Sequence, residues 1–136
     1  IMLGTFALSA GYYEAYYGRA QRIRALMTGE FEEAFGRVDF LLTPTTPSPA
    51  FRIGEKSADP LEMYLSDIFT CPANLAGIPA IAVPSGFTRD RLPLSLQIMG
   101  PKFSEAWLLR AAQFLESQTG YGQELPPKVH VLPGLE

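Results

Sequence analysis

Asp67 is the residue whose type and setting point most directly to chemistry. It is the only carboxylate between Glu62 and Asp90, and it lies in an apolar segment that runs from Leu61 to Ile68. A carboxylate in apolar surroundings can hold a cationic group of a ligand, because a charge removed from water without a partner is very costly. A capping or ion-pairing role in the fold explains the same residue, and both interpretations stay open at this point.

Other reactive side chains are few and isolated. Cys71 precedes a proline and is expected to be a small buried hydrophobic residue rather than a reactive thiol. Ser85, between Pro84 and Gly86, is the nearest approach to an exposed serine at a strand end, but no lysine lies near it in sequence. The single histidine, His130, lies in the tail. The sequence contains no Ser/His/Asp set, no metal-ligand spacing and no Gly-rich phosphate loop, so we predict no catalytic residue and no metal site in this chain.

The segment around Asp67 is predicted to form a crevice. Asp59 followed by Pro60 is typical of a helix start, and apolar residues follow at helical spacing. The stretch 72–79 contains two prolines and a glycine and predicts a tight turn, and the apolar run 80–83 predicts a buried strand. A helix, a turn and a buried strand within so few residues favour a crevice over an open surface.

The remaining elements follow from hydrophobic periodicity. We predict a long helix over 11–36 that continues through Gly29, strands over 38–42 and 94–99, and a last helix over 105–118. The prolines in 43–49 are expected to end the strand before them, because proline removes a ladder donor. The end of a strand in an open α/β sheet is where ligands bind, although an extended connector also explains this stretch. The fold class is therefore α/β.

Four tyrosines occupy one predicted helix face near the start of the chain. Their spacing of three and four residues is helical, and core packing is the favoured interpretation. The alternative is an aromatic wall of a pocket or of an intermolecular interface. The four residues are Tyr12, Tyr13, Tyr16 and Tyr17.

Length and composition limit the classes of protein that fit. The chain has 136 residues, enough for one domain at most, and only 18% of them are charged, against about 25% in typical proteins. A net charge of −3 argues against a phosphate-binding surface of its own. One cysteine permits no internal disulfide, and no apolar run approaches the roughly 18 residues of a membrane span. Because the first residue is Ile1, we expect a piece of a longer polypeptide, with residues 121–136 as an extended tail.

Several motifs, in order, resemble the amidase signature family. The resemblance covers nearly the whole chain, to about Ser117. The motifs are individually weak, but their order and spacing together make the match strong. The motifs are Ile1-Met2-Leu3-Gly4-Thr5, Leu8-Ser9-Ala10-Gly11-Tyr12-Tyr13, Leu42-Thr43-Pro44-Thr45, Asp59-Pro60-Leu61 through Tyr64, Ser66-Asp67-Ile68-Phe69-Thr70, Pro72-Ala73-Asn74-Leu75-Ala76-Gly77-Ile78-Pro79-Ala80 and Leu96-Gln97-Ile98-Met99-Gly100. Ser95 stands where the family pattern leads us to expect glycine.

The resemblance implies a fold, an activity and partners. It implies that residues 1–136 are the C-terminal part of a single amidase domain, with a mixed sheet covered by helices on both faces. Within the family the match is closest to the glutaminase subunits of tRNA-dependent amidotransferases, which are cytoplasmic. Such a subunit hydrolyses glutamine, and the ammonia passes to the B subunit, which uses ATP and Mg to amidate a tRNA-bound glutamate. A small C subunit completes the assembly. The tRNA is bound by the B subunit and not by the glutaminase subunit itself.

The resemblance also implies a substrate-binding role for Asp67 and the absence of the catalytic triad from this chain. The aspartate matched by Asp67 binds the α-amino group of the substrate glutamine. The family's Ser–Ser–Lys triad lies N-terminal to everything in this chain, which is therefore expected to be inactive alone. Two alternatives stay open: a piece of another signature-family amidase that acts on a small amide, or a non-catalytic interaction module.

Overall fold

The computed structural model describes Thr5, residues 13–56 and residues 59–124. In chain order its elements are a π-helix (Tyr13–Gly18), α1 (Arg19–Phe35), β1 (Leu41–Pro44), α2 (Pro60–Leu65), α3 (Cys71–Ala76), β2 (Ala80–Phe87), β3 (Pro93–Met99), α4 (Glu105–Thr119) and a 3-10 helix (Tyr121–Gln123). Helices and strands are both present along these ranges, which confirms the predicted α/β class.

The strands form one sheet in the order β1-β3-β2, with β3 in the centre of the part that the structure describes. Gln97 of β3 has Thr43 of β1 and Ala82 of β2 as its register partners on either side. Both pairings are antiparallel. A mixed sheet, as the family resemblance implies, would need parallel strands from outside the described residues.

One face of the sheet packs against α1 and α3. Ala73 and Ala76 of α3 are buried with Met99 of β3, and Phe31 and Phe35 of α1 lie against this cluster. These side chains come from the last two turns of α1 and from the inner side of α3, so the two helices cover the sheet together.

The opposite face packs against α4. Val83 of β2 and Ile98 of β3 are buried with Ala112 of α4, and Leu115 packs beside them. Ile98 and Met99 are neighbours in one strand and therefore point to opposite faces. This alternation divides the core into two layers and confirms that helices lie on both faces of the sheet.

The long N-terminal helix is confirmed from Tyr13 onward, and it passes through Gly29 without a break. Its first half contributes little to the core, since Ile23 is 59% exposed and Leu26 is 69% exposed. Tyr13 and Tyr16 are also exposed. The predicted core packing of the tyrosines is therefore wrong for these two residues, while Tyr12 lies outside the described residues.

The strand predicted over 38–42 is displaced toward its C-terminus. It spans Leu41–Pro44, and Pro44 pairs with Leu96. The expectation that residues 43–49 cannot continue this strand is wrong for Thr43 and Pro44, because β1 is an edge of the described sheet and an edge strand tolerates a missing donor. The strand does end at Pro44, the first of the prolines. Two adjacent leucines, Leu41 and Leu42, without alternation predict a strand buried on both faces. Leu42 is 60% exposed, so that prediction is wrong here.

The predicted buried strand over 80–83 is longer and only half buried. It continues to Phe87 through an irregularity between Pro84 and Gly86. Val83 is buried, whereas Ala80 and Ala82 are exposed. This alternation is typical of an antiparallel strand with only one covered face.

The helix start at Asp59 is confirmed by its capping bond. The carboxylate of Asp59 accepts a hydrogen bond of 2.8 Å from the backbone N–H of Leu61.

The tight turn predicted over residues 72–79 is wrong in part, because Cys71 to Ala76 form the short helix α3. A proline in the first turn of a helix costs no hydrogen bond. Gly77 ends α3 with φ of 68°, a conformation that glycine adopts without strain.

The last helix is confirmed, and it begins at Glu105 as expected. Gly120, just beyond the predicted end of the helix at residue 118, is a residue type that often ends helices, and it ends α4 with φ of 71°. Ser104 precedes the first turn, but its side chain makes no capping hydrogen bond. Tyr121 then lies edge-on to Phe87, with ring centroids 6.2 Å apart. The rest of the predicted tail, from residue 125 and including His130, lies outside the described residues.

Candidate functional site

Asp67 lies in the turn of residues 66–70 that joins α2 to α3. Its carbonyl oxygen accepts hydrogen bonds from Thr70 N at 3.1 Å, Cys71 N at 3.0 Å and Thr70 Oγ1 at 3.2 Å. Its side chain is exposed, and its carboxylate has no hydrogen bond or ion pair with any residue that the structure describes. The backbone therefore fixes the turn, while the carboxylate neither caps a helix nor pairs with a cation in this part of the chain.

A cleft of about 310 Å³ lies next to this turn. It opens on the side of the sheet where α3 packs, and it reaches from the end of β1 across β3 to β2. The lining residues are Thr45, Thr70, Ala73, Asn74, Ile78, Ala80, Ile81, Ala82 and Gln97. Asp67 is not part of this lining; Thr70, three residues further on, brings the turn to the edge of the cleft.

The side-chain hydrogen-bonding groups in the cleft are neutral, and one of them is buried without a partner among the described residues. Thr45 Oγ1 is buried without a hydrogen-bond partner among the described residues. Gln97 is 4% exposed and uses its amide nitrogen to donate to Thr43 and to Phe69. Buried polar groups are nearly always hydrogen-bonded. A ligand or a further segment of chain in the cleft would satisfy the Thr45 hydroxyl.

The structure brings together residues that sequence reasoning treated separately. Thr45 belongs to the segment predicted to follow a strand end, and Gln97 was placed inside a strand. Thr70 and Asn74 were not predicted as site residues. They follow Asp67 at three and seven positions, a helical spacing that puts side chains on one face and could have indicated them.

The other candidates from the sequence do not converge on this cleft. Cys71 is exposed at the first position of α3, so the prediction of a buried hydrophobic residue is wrong. Ser85 is exposed at the irregularity in β2. Within the described residues, no group of three or more His, Cys, Asp or Glu side chains could hold a metal ion.

A larger cleft of about 440 Å³ lies at the start of α4. Its walls are mostly apolar and include Phe35, Phe40 and Trp107, the last of which is 63% exposed. Asp39 and Ser104 are its polar residues. With few polar groups to orient a small molecule, this surface is better suited to covering by another protein segment, and the polar cleft beside Asp67 is the candidate site.

Comparison with known proteins identifies the class to which this fold and site belong. A family model described as Amidase matches residues 1–109, about four-fifths of the chain. Among solved structures, 6-aminohexanoate cyclic dimer hydrolase aligns with a TM-score of 0.72 at 25% identity, over 87% of this chain and 26% of that chain. The architecture is therefore that of amidase signature enzymes, and this chain belongs to the amidase family.

More similar relatives share one name, the A subunit of glutamyl-tRNA(Gln) amidotransferase. The protein from Thermodesulfovibrio yellowstonii is 58% identical over 126 residues, which are 93% of this chain and 26% of that protein. The protein from Methanosarcina mazei is 56% identical over 129 residues, 95% of this chain and 27% of that protein. The crystal structure of the Thermotoga maritima protein aligns with a TM-score of 0.76 at 48% identity, over 88% of this chain and 26% of that chain.

The chain spans about a quarter of the length of the relatives that it matches. These percentages give how much of each relative is covered, not which part of it. The C-terminal placement implied by the resemblance therefore stays a prediction. No helix in the described ranges is long and apolar enough to cross a membrane.

Proposed function

We propose that this chain is part of the glutaminase subunit of a tRNA-dependent amidotransferase. The enzyme hydrolyses glutamine to glutamate and ammonia, and the ammonia converts glutamate carried on tRNA(Gln) into glutamine. The observation that most supports the proposal is sequence identity of 56–58% to proteins named as subunits of this amidotransferase, over more than nine-tenths of the chain. The hydrolase named for a cyclic dimer is only 25% identical over a similar share.

Asp67 is the residue of this chain to which we assign substrate binding. Its exposed carboxylate has no partner among the described residues, and it is therefore available to a cationic group. Free glutamine carries an α-ammonium group, and holding that group in a partly dry pocket requires an anionic partner. The role assigned to Asp67 is to bind and orient glutamine for attack by a nucleophile elsewhere in the parent protein.

The neutral cleft complements this assignment. The side chain of glutamine ends in an uncharged carboxamide, which needs hydrogen-bond donors and acceptors rather than a counter-charge. Thr45, Thr70 and Asn74 supply such groups within one cleft. An acidic turn beside a neutral polar cleft fits a ligand with a charged end and an uncharged polar end.

The wider assembly belongs to the same proposal. The B and C subunits of the amidotransferase are the partners, and the tRNA is bound through the B subunit. ATP and Mg act on that partner, where the glutamate on the tRNA is activated for attack by ammonia. The complex works in the cytoplasm, where aminoacyl-tRNA is made for protein synthesis.

The test is nitrogen transfer by the full-length protein assembled with its B and C subunits. Glutamate attached to tRNA(Gln) is incubated with ATP and Mg, and either glutamine or ammonium chloride is the nitrogen source. We expect glutaminyl-tRNA to form with either nitrogen source. Free glutamate should form only in the reaction that contains glutamine. Turnover of small amides such as cyclic amide dimers, without any transfer to tRNA, would show that the parent is a different amidase.

A further inference from the structure

Gln97 is a polar residue at a buried position, where its amide group lowers stability unless its hydrogen bonds are made. It lies in the middle of the central strand β3 and is 4% exposed. Its strand neighbours Ile98 and Met99 are buried apolar residues of the two core layers. Burying an amide group in such surroundings costs free energy unless its hydrogen bonds are made.

The amide nitrogen of Gln97 joins two segments that are far apart in sequence. Nε2 donates a hydrogen bond of 3.2 Å to Thr43 Oγ1, on the neighbouring strand β1. The same nitrogen donates a hydrogen bond of 2.8 Å to the carbonyl oxygen of Phe69. Since an NH₂ group has two donors, one side chain satisfies both acceptors.

Phe69 belongs to the turn that carries Asp67. Within this turn, the Asp67 carbonyl is held by Thr70 and Cys71, and these bonds shape the turn without fixing it to the sheet. The bond from Gln97 to Phe69 fixes the turn to the central strand, two residues after Asp67. A second bond, 3.1 Å from Lys56 Nζ to Ser66 Oγ, holds the other end of the turn.

We propose that Gln97 is a positioning residue for glutamine binding: it sets the place of Asp67 by holding the Phe69 carbonyl against the sheet. This inference rests on the proposed function, because it assumes that Asp67 binds the substrate ammonium. Gln97 acts through the turn and is not itself assigned to contact the reacting atoms. A shift of the turn would move the Asp67 carboxylate away from the ammonium group and weaken glutamine binding, while the chemistry of transfer would be unaffected.

The test uses Gln97→Met in the full-length protein assembled with its partner subunits. Methionine has nearly the same length but no donor. We expect KM for glutamine to rise about tenfold with kcat within about twofold, as for a misplaced binding group. Amidation of the tRNA with ammonia should keep its normal rate, because ammonia does not need the glutamine pocket.

Thr43→Val is the matched control, since it removes the other partner of the same amide nitrogen and leaves the bond to Phe69 possible. We expect it to leave KM for glutamine within about twofold of the parent value. If Thr43→Val raises KM as much as Gln97→Met, the effect comes from general disturbance of the sheet and the proposal is wrong. Should Gln97→Met fail to fold, Gln97→Asn takes its place, because it keeps the amide but is too short to hold Phe69.

A double-mutant cycle shows whether Gln97 affects glutamine binding through Asp67 or independently of it. In an Asp67→Asn background, Gln97→Met should cause no further rise in KM, because the residue through which it acts is already lost. A full additional rise would overturn the proposal, as would an unchanged KM in Gln97→Met alone. If Asp67→Asn itself leaves KM unchanged, the assigned site fails and the inference fails with it. If Asp67→Asn raises KM and Gln97→Met does not, the inference fails alone.

Discussion

Arg24 Nε donates a hydrogen bond of 2.7 Å to the carbonyl oxygen of Leu75, which lies 51 residues further along the chain. The bond joins the second turn of α1 to the last turn of α3. Carbonyl groups in the last turn of a helix have no partner within that helix, and a cation placed there is favourable. Arg24 thus caps α3 from another helix and helps to hold the cleft wall that α3 provides.

Removal of this cap should destabilise the parent protein. We expect Arg24→Met to lower the free energy of unfolding by about 1 kcal/mol, the value of one partly exposed hydrogen bond from a charged donor. Chemical denaturation of the full-length protein measures the change. Arg22→Met is the control, because Arg22 is an exposed residue of the same helix with no hydrogen bond to a described residue. Equal losses in both variants would show that the Leu75 bond adds nothing.

Asp67→Asn should impair the use of glutamine and little else. The change keeps the shape of the side chain and removes its charge, so we expect a loss of about 2–5 kcal/mol in transition-state stabilisation with glutamine. Thermal stability should hardly change, since the carboxylate has no partner among the described residues. The measurement is kcat/KM with glutamine beside the rate with ammonia, and the melting temperature.

Glu62→Gln is the matched control for that experiment. Glu62 is an exposed carboxylate in the first turn of α2, five positions before Asp67, and the family resemblance gives it no role. We expect normal kinetics with glutamine for this variant. A variant Asp67→Asn that unfolds early, while its folded fraction keeps normal kinetics, would mean that Asp67 has a structural role only.

Two glycines should respond to alanine in opposite directions. A Cβ at Gly100 would overlap the Leu108 side chain and lie 2.5 Å from Ser104 Oγ, so Gly100→Ala should destabilise the protein by about 1–3 kcal/mol. Gly29 lies inside α1 with nothing within 4 Å of the added atom, so Gly29→Ala should stabilise by about 0.5–1 kcal/mol. Denaturation of both variants checks the signs; a stable Gly100→Ala protein would contradict the packing at the start of α4.

The 136-residue chain by itself should be marginally stable and without amidase activity. Leu42, Trp107 and Phe114 are each at least 60% exposed, and β1 and β2 are edges of the described sheet, which favours association between copies. Hydrolysis of an amide also needs an activated nucleophile, and the sequence contains no nucleophile–base set. Sedimentation, thermal melting and a glutaminase assay on the purified chain provide the test. A monomer with a sharp cooperative melt, or turnover that survives further purification, would contradict these expectations.

The sequence alone determined those features that depend on local chemistry. The capping bond of Asp59 follows from a residue and the backbone two positions away, and the end of α4 at Gly120 follows from the freedom of glycine at positive φ. The continuation of α1 through Gly29 follows from apolar spacing within one helix. The family was also indicated, because the order of short motifs along a chain is itself a property of the sequence.

Only the tertiary structure decided which residues share the cleft and which strands are edges. Pro44 could enter β1 because β1 has a described neighbour on one side only, and a strand's own residues do not specify its neighbours. The link from Gln97 to Phe69 spans 28 positions, and its geometry depends on how α3 packs on the sheet. Such contacts arise from the simultaneous burial of distant apolar faces, which no local pattern encodes.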